Sequence, residues 1–485
     1  MRFMAIFIAL CSFCTTIMAQ TQLPPPAAEP VSFASLLPSP KSVPETPVHL
    51  SLEEAIALAL RSNPAVRISE LQRILDKFGL ATVIQTYGVV WTPFTASATL
   101  QKHTYPVWSA GTGFSVAAPS GTTVGLSHTT NLLGGAGDTA LTVTQHLLQG
   151  FGFAVNRVNY QNAMDNEKIN QLTFKNSVIT VVNTVITNYR ALVEGYNNLT
   201  TSQQTLQSQE KGVWQSKLQV KAGKMAPADL LQQEENLETT RLSVVQAEDA
   251  LRDAYQTFLS SLGLSPTKKL LIDRSIIINA KKVPSLNDCI ATALKNNIAY
   301  QTALLQLKIT KRALITAKDA NKWTLDVSGT KNFGDQRTGV GQPITDITTS
   351  PTLAVNLSVP INSVSLKQEI ATAKVGIEDA ELNLRQQKED LIRAVMNQYD
   401  TIRNQEDQLR ISERAVAMQE KTVANTKLKL KYGKTTIFEV NTLENELLSQ
   451  KIALISTKIS YLNAITTLYQ TLGTTLKQWR VHLRY

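Results

Sequence analysis

The residue types that could carry chemistry are few, and most are wrongly spaced for it. His49, His103, His128, His146 and His482 show neither H-x-x-x-H nor H-E-x-x-H spacing, which would set two imidazoles on one helix face for a metal. Gly433-Lys434-Thr435 has the ending of a phosphate-binding loop, but the glycine such a loop needs earlier is Leu428. No G-x-S-x-G nucleophile elbow occurs. Glu53-Glu54 and Glu234-Glu235 fall on helical stretches and read as solvated faces. The sequence therefore predicts no catalytic residue, no metal and no cofactor. What remains is a matched pair of K-x-G-K turns, Lys221–Lys224 and Lys431–Lys434, each followed by an acid, Asp229 and Glu439. Gly223 and Gly433 suit the left-handed position that ends a helix, and an acid in the next helix's first turn meets the positive end of its dipole. Thr436 with Glu439 also spells a capping box.

These turns belong to a chain written twice. Residues 49–72 match 283–306, with Leu52, Ile56, Leu60 and Asn63 recurring as Leu286, Ile290, Leu294 and Asn297. Tyr189–Gly263 aligns with Tyr399–Gly473 without a gap, with 18 identities in 75 positions. Ser51 with Glu54 and Ser285 with Asp288 read as capping boxes opening the first helix of each copy. Repeat one spans 51–282: a half-helix, strands over about 93–147, a long helix 154–222 and a half-helix 227–262. Repeat two spans 283–485: a half-helix, strands over about 324–359, a long helix 365–432 and a half-helix 436–472. Residues 1–19 read as a signal peptide and 20–50 as a proline-rich extended segment. Cys289 aligns with Ala55, which predicts a buried helix position rather than a reactive thiol.

Two features set the architecture. In the long helix of repeat one Leu172, Ile179, Val182, Ile186, Tyr189, Val193 and Tyr196 form a coiled-coil seam, and its 69 residues would run ~100 Å. The half-helices, at about 64–90 and 227–262, stacked end to end nearly match that length, so Asn63-Pro64 and Leu262-Gly263 are expected to meet midway along it. The strands Phe94–Lys102, Thr139–Leu147, Thr324–Thr330 and Pro351–Val359 alternate apolar residues with small uncharged polar ones. That pattern fits a wall between lipid and water, or an ordinary half-buried sheet. A further hairpin, Gly113–His128 turning at Pro119-Ser120-Gly121, occurs only in repeat one and has no evident place. Trp91, Trp108 and Trp323 flank strands, as interfacial anchors or as core.

Charged residues are 18% of the chain, below the ~25% usual for soluble proteins, and Gln, Asn, Ser and Thr replace them. The net charge of +10 is spread out, with aromatics at 6% and no basic block interleaved with them, so nucleic acid is not an expected partner. Four strands cannot close a barrel in lipid, where an open edge is prohibitively costly. A barrel shared among three chains would have twelve strands and a water-filled lumen, and the helices would line a cylinder continuing it. The expected fold is mainly α with a small transmembrane β part, a trimeric 12-stranded barrel on an α-helical coiled-coil tunnel.

The ordered duplication, the repeated L-x-x-A/C-I-x-x-A-L-x-x-N at Leu52–Asn63 and Leu286–Asn297, the Q-x-L-L-x-G-F-G join at Gln145–Gly152 and the paired K-x-G-K turns resemble the TolC-like outer-membrane efflux and secretion channels. The resemblance implies a homotrimer in outer-membrane lipid of a Gram-negative cell, its helices in the periplasm. It also implies a periplasmic adaptor (membrane fusion) protein and an inner-membrane transporter as partners, in a tripartite efflux pump or a type I secretion system. In related channels an acid after the tip turn narrows the periplasmic entrance; Asp229 and Glu439 hold the matching positions, so three chains would bring up to six carboxylates into one ring. Thr442 stands where the family often has a second acid. The tip turns, with Gly223, Lys224, Gly433 and Lys434, are the expected adaptor contact. The competing readings are a soluble periplasmic coiled-coil adaptor or scaffold, which would need no lipid-facing alternation, and an exported enzyme, for which no constellation is present.

Overall fold

The computed structural model describes residues 49–99, 107–131, 137–274, 283–336, 345–346, 351–361 and 364–483. The signal peptide, nearly all of the proline-rich segment and His103 lie outside the described residues. In chain order, β1 (His49–Leu50), α1 (Leu52–Ser62) and α2 (Pro64–Gln85) lead into β2 (Val89–Thr99), β3 (Val107–Ala117), β4 (Thr122–Asn131) and β5 (Gly137–His146). The single helical turn α3 (Phe153–Asn156) opens onto α4 (Val158–Lys221), and α5 (Pro227–Leu262) returns from it. The second half holds β6 (Leu271–Ile272), α6 (Leu286–Asn296), α7 (Ile298–Ala320), β7 (Thr324–Gln336), β8 (Thr345–Asp346), β9 (Thr352–Ser358), α8 (Val364–Lys431), α9 (Ile437–Thr471) and α10 (Thr475–Gln478).

The long helices α4 and α8 have 64 and 68 residues, about 96 and 102 Å at ~1.5 Å per residue. In α8, Val395, Ile402, Leu409, Val416 and Val423 are buried every seventh residue, the repeat of a left-handed coiled-coil seam. In α4, Ile179, Val182, Ile186, Tyr189 and Val193 are buried as the spacing predicts. Val178, Val181, Val185 and Leu192 are buried as well, because α4 passes at that height through an apolar belt with α1, Phe258, Leu259 and Leu262. The parallel pair β1–β6 belongs to the same belt, and the Tyr189 hydroxyl donates to the Asp273 carbonyl at 3.0 Å.

The shorter helices stack end to end beside the long ones, and the repeated asparagine is the joint. The Asn63 side chain caps α2 by accepting from Ala65 N–H at 2.8 Å and donates to the Ser261 carbonyl at the end of α5 at 2.7 Å. Ser62 Oγ adds a bond to the Leu262 carbonyl at 2.6 Å. Asn297 repeats the arrangement, accepting from Tyr300 N–H at 3.0 Å and donating to the Thr471 carbonyl at 2.9 Å. Gly263 (φ +72°) and Gly473 (φ +68°) end α5 and α9 at these joints; a Cβ would stand 2.4 Å from the Ser62 carbonyl oxygen in the first and 2.2 Å from that of Asn296 in the second. The expected meeting midway along the shaft is thus a pair of asparagine–glycine junctions.

Of the local expectations two hold and two change. Ser51 and Glu54 close a full capping box. Ser285 makes only half of one: its side chain accepts from Asp288 N–H, while Asp288, one methylene shorter than Glu, takes the Ser285 hydroxyl instead of reaching back to the backbone. Glu439 likewise binds the Thr435 hydroxyl, and Thr436 supplies the cap. Cys289 is buried like Ala55, and burial pushes its thiol pKa up.

The larger difference is in the sheet. Six long strands pair antiparallel in the order β2-β3-β4-β5-β7-β9, with β8 also against β7. The hairpin that had no place in the sequence reading is β3–β4, sitting between β2 and β5. Each chain therefore offers six long strands where the sequence reading counted four. β2 also starts earlier than the alternation from Phe94 indicated, because a bulge between Thr92 and Thr95 shifts its register.

Candidate functional site

The tip turns are copies of each other. Lys224 N–H donates to the Gln219 carbonyl at 2.8 Å across Gly223 (φ +69°), and Lys434 N–H to the Lys429 carbonyl at 2.9 Å across Gly433 (φ +68°). These are the six-to-one bonds of Schellman endings. Asp229 and Glu439 sit in the first turn of the following helices, and both are exposed. Gly223, Lys224, Gly433 and Lys434 are exposed too, and Tyr432 and Phe438 add apolar surface beside the second turn.

The structure brings the two tips together through residues that were not foreseen. Near the tips, α9 is fastened to the α4–α5 hairpin by polar side chains. Asn441 donates to Gln233, with both side chains buried. Gln209 donates to Asn445 at 3.2 Å, and Ser208 to Glu444 at 2.8 Å. Glu444 also takes Lys427 from α8. Gly212 permits this approach: a Cβ there would stand 3.3 Å from Asn441 Oδ1. Ser202, Gln209 and Ser216 are buried at seven-residue spacing on α4, so the seam that is apolar higher up is polar here. Polar groups at seam positions weaken helix association while fixing its register. That spacing was the available sequence signal. Higher up, Arg190 of α4 donates to Asn463 at 2.9 Å and Thr466 at 2.8 Å of α9, and burial lowers its pKa to about 10.

At the other end the sheet separates two kinds of surface. Paired positions run Val89, Val116, Val124, Val143 and then Trp91, Phe114, Leu126, Leu141 along one face, which continues onto Leu353, Val355 and Leu357 of β9. These last three are 74, 62 and 60% exposed, far from a half-buried sheet's inner face. Lys331, its ammonium 5.7 Å from the Phe333 ring centre, and the His128–Thr139 pair, bonded at 2.8 Å, interrupt the face. The opposite face carries Ser97 bonded to Ser109, Thr142 to Thr330, and His146 to Asp326. Trp91 and Trp323 are exposed rather than core residues, at the helix end of the sheet; the side chain of Trp108 lies outside the described residues. Three side-chain ties hold the sheet's helical footing. Arg73 pairs with Glu167, Arg312 with Asp165, and Asp319 accepts from Gly150 N–H at 2.8 Å in the Gln145–Gly152 join. Burial alone would raise the pKa of both Glu167 and Asp165, but hydrogen bonds and nearby positive charge, from Arg73, Gln171 and Lys77 for the first and from Arg312 and Lys168 for the second, together outweigh it and hold both below the usual carboxylate range.

Among the described residues no group of His, Cys, Asp and Glu is arranged to hold a metal ion, and no helix is long and apolar enough to cross a membrane.

A family model described as "Outer membrane efflux protein" matches residues 125–264 and 289–474, about two thirds of the chain in two pieces that fall one in each copy. No curated protein matches. Solved structures with the same fold include the outer-membrane channel OprN, at 16% identity and a TM-score of 0.67 over 87% of this chain and 89% of that one. VceC from Vibrio cholerae matches at 13% and 0.66 over 87% and 96%. The open state of the MtrE channel from Neisseria gonorrhoeae matches at 14% and 0.66 over 88% and 89%.

Proposed function

Because this chain belongs to the outer membrane efflux protein family, we propose that three copies close a passive, gated conduit from the periplasm through the outer membrane. The sheets form the barrel and the helices the periplasmic tunnel. A periplasmic adaptor engages the tips, and an inner-membrane transporter supplies the energy, in a tripartite efflux pump or a type I secretion system. The work is conduction, not catalysis.

The observation that carries the reading is the sheet: one exposed apolar face, one small polar face, and two outer strands, β2 and β9, that each keep an unpaired edge among the described residues. Such edges are tolerated in lipid only when another chain closes them. A soluble adaptor would leave this apolar face in water, which disfavours that alternative.

The proposed entrance is at the tips. Asp229 and Glu439 of three chains ring it, and the polar bonds between α9 and the α4–α5 hairpin hold it narrow. Gly223, Lys224, Gly433 and Lys434 present the docking surface to the adaptor. Planar-bilayer recording of the purified trimer tests the reading. Small single-channel currents are expected; a folded trimer that inserts and passes none defeats it.

A further inference from the structure

We infer that the hairpin β3–β4 is part of the barrel wall, so that the closed trimer has eighteen strands rather than twelve and an outlet about half again as wide. This rests on the trimeric-channel reading above. Four observations carry it. First, β3 and β4 have 11 and 10 residues, like β2 with 11 and β5 with 10, and ~9–11 residues is the length of a tilted spanning strand. Second, in the half nearer the helices both strands keep the two-faced pattern in register with their neighbours: Val116 and Val124 continue the row from Val89 to Val143, while Ser115 and Gly125 continue the opposite face toward Thr142 and Thr330; farther out Thr112 and His128 lie on the apolar face, His128 bonded to Thr139. A hairpin lying outside the wall would have no reason to match both faces.

Third, its inner turn is built into the strand-to-helix join. Gly152 N–H donates to the Ser120 carbonyl at 3.0 Å and His146 N–H to that of Gly121 at 3.2 Å. Gly121 (φ +90°) packs so closely that a Cβ would stand 2.3 Å from the Gly150 carbonyl oxygen. Fourth, β2 and β5 do not pair with each other; β3 and β4 occupy the edges they would have to share in a four-stranded wall. The free edges that remain belong to β2 and β9, and the occupant that completes each is the other edge on a second copy of this chain.

The widths agree. Strands ~4.8 Å apart and tilted by ~40° take about 6 Å of circumference each, so six cover about 37 Å of arc. Each chain has four helical columns in cross-section, and at ~9 Å each they cover about 36 Å. Six strands thus match the helical wall beneath them, where four would force the tube to narrow to about two thirds. On this geometry the outlet is about 36 Å across between backbones, against about 24 Å for twelve strands, and the tight point of the conduit is the helical tip.

The test uses the full trimer in lipid vesicles, with native cysteines replaced by alanine and spin labels placed one at a time on β4 and β9. Labels at Val124→Cys and Leu126→Cys are expected to be reached by oxygen from lipid, and labels at Thr123→Cys and Ser127→Cys by a water-soluble nickel chelate. Val355→Cys on β9 reports the wall itself. If Val355 is lipid-exposed while both faces of β4 are wet, the hairpin is outside the barrel and the inference falls while the channel reading stands. If Val355 is wet as well, both fall. Single-particle imaging of the unlabelled trimer counts strands directly: eighteen is expected, and twelve overturns the proposal.

Discussion

The Asn441–Gln233 bond should decide how often the entrance opens. Gln233 is 1% exposed and Asn441 3%, so Asn441→Ala leaves the Gln233 amide buried beside α9 with its partner gone. An orphaned buried polar group costs about 1–3 kcal/mol. The cost falls on the closed arrangement alone, because water satisfies Gln233 once α9 swings away. A differential of that size shifts the open-to-closed ratio roughly 5- to 150-fold for one chain, and more if three chains move together. Single-channel recording should turn rare, brief openings into frequent, long ones. The pair Gln233→Leu with Asn441→Leu is the decisive companion. Replacing both partners by apolar groups of similar shape leaves nothing unsatisfied, so this variant should return to the closed baseline or below it. Intact Asn441→Ala trimers with unchanged opening, or a double-leucine variant as leaky as the single one, would refute the reasoning.

Asp229→Ala with Glu439→Ala should raise the single-channel current and weaken any cation preference, measured by reversal potential in a salt gradient; unchanged values would remove the acids from the entrance. Gly473→Ala should lower the trimer's melting temperature far more than Gly433→Ala. Both residues sit at φ +68°, where a side chain costs ~1–3 kcal/mol, but a Cβ at 473 overlaps the Asn296 carbonyl while at 433 nothing lies within 4 Å. Equal losses would show that the junction is looser than its geometry. The carboxylates of Glu167 and Asp165, held below their ordinary values of 4.5 and 3.8, stabilise the fold fully above those values. That contribution is lost as pH falls through the lowered ones. Glu167→Gln should cost about 1–3 kcal/mol near neutral pH, because Arg73 loses a charged partner but keeps Asp76. It should also flatten the acid side of a melting-temperature profile, and a profile parallel to the native one would exclude Glu167 as a contributor.

What the sequence disclosed and what it hid follow from how far apart the determining residues lie. Helix lengths, the heptad spacing of Ile179, Ile186 and Val193, and the glycine endings at Gly223 and Gly433 are local patterns, and each appears in the structure where the spacing puts it. Asn63 and Gly263 were legible as a meeting point because helix lengths add along a shaft. The polar contact between α9 and the α4–α5 hairpin was not, because Gln209, Gln233 and Asn441 are the residue types a solvent-facing helix carries; only the approach of α9 buries them. Ser202 and Ser216, seven residues to either side of Gln209, read as surface for the same reason. The β3–β4 hairpin failed differently. Its strands contain Gly111, Gly113 and Gly125, which blunt the alternation, and repeat two has no counterpart to align with it. Which face Val116 or Leu126 occupies is fixed by hydrogen-bond register against β2 and β5, and a slip of one residue would turn every side chain over. The number of strands in the wall is therefore a property of pairing rather than of pattern. A duplicated chain can keep its helical shaft unchanged while one copy adds an even number of strands, because a hairpin returns the chain to the same side of the sheet and leaves both outer edges, β2 and β9, as they were.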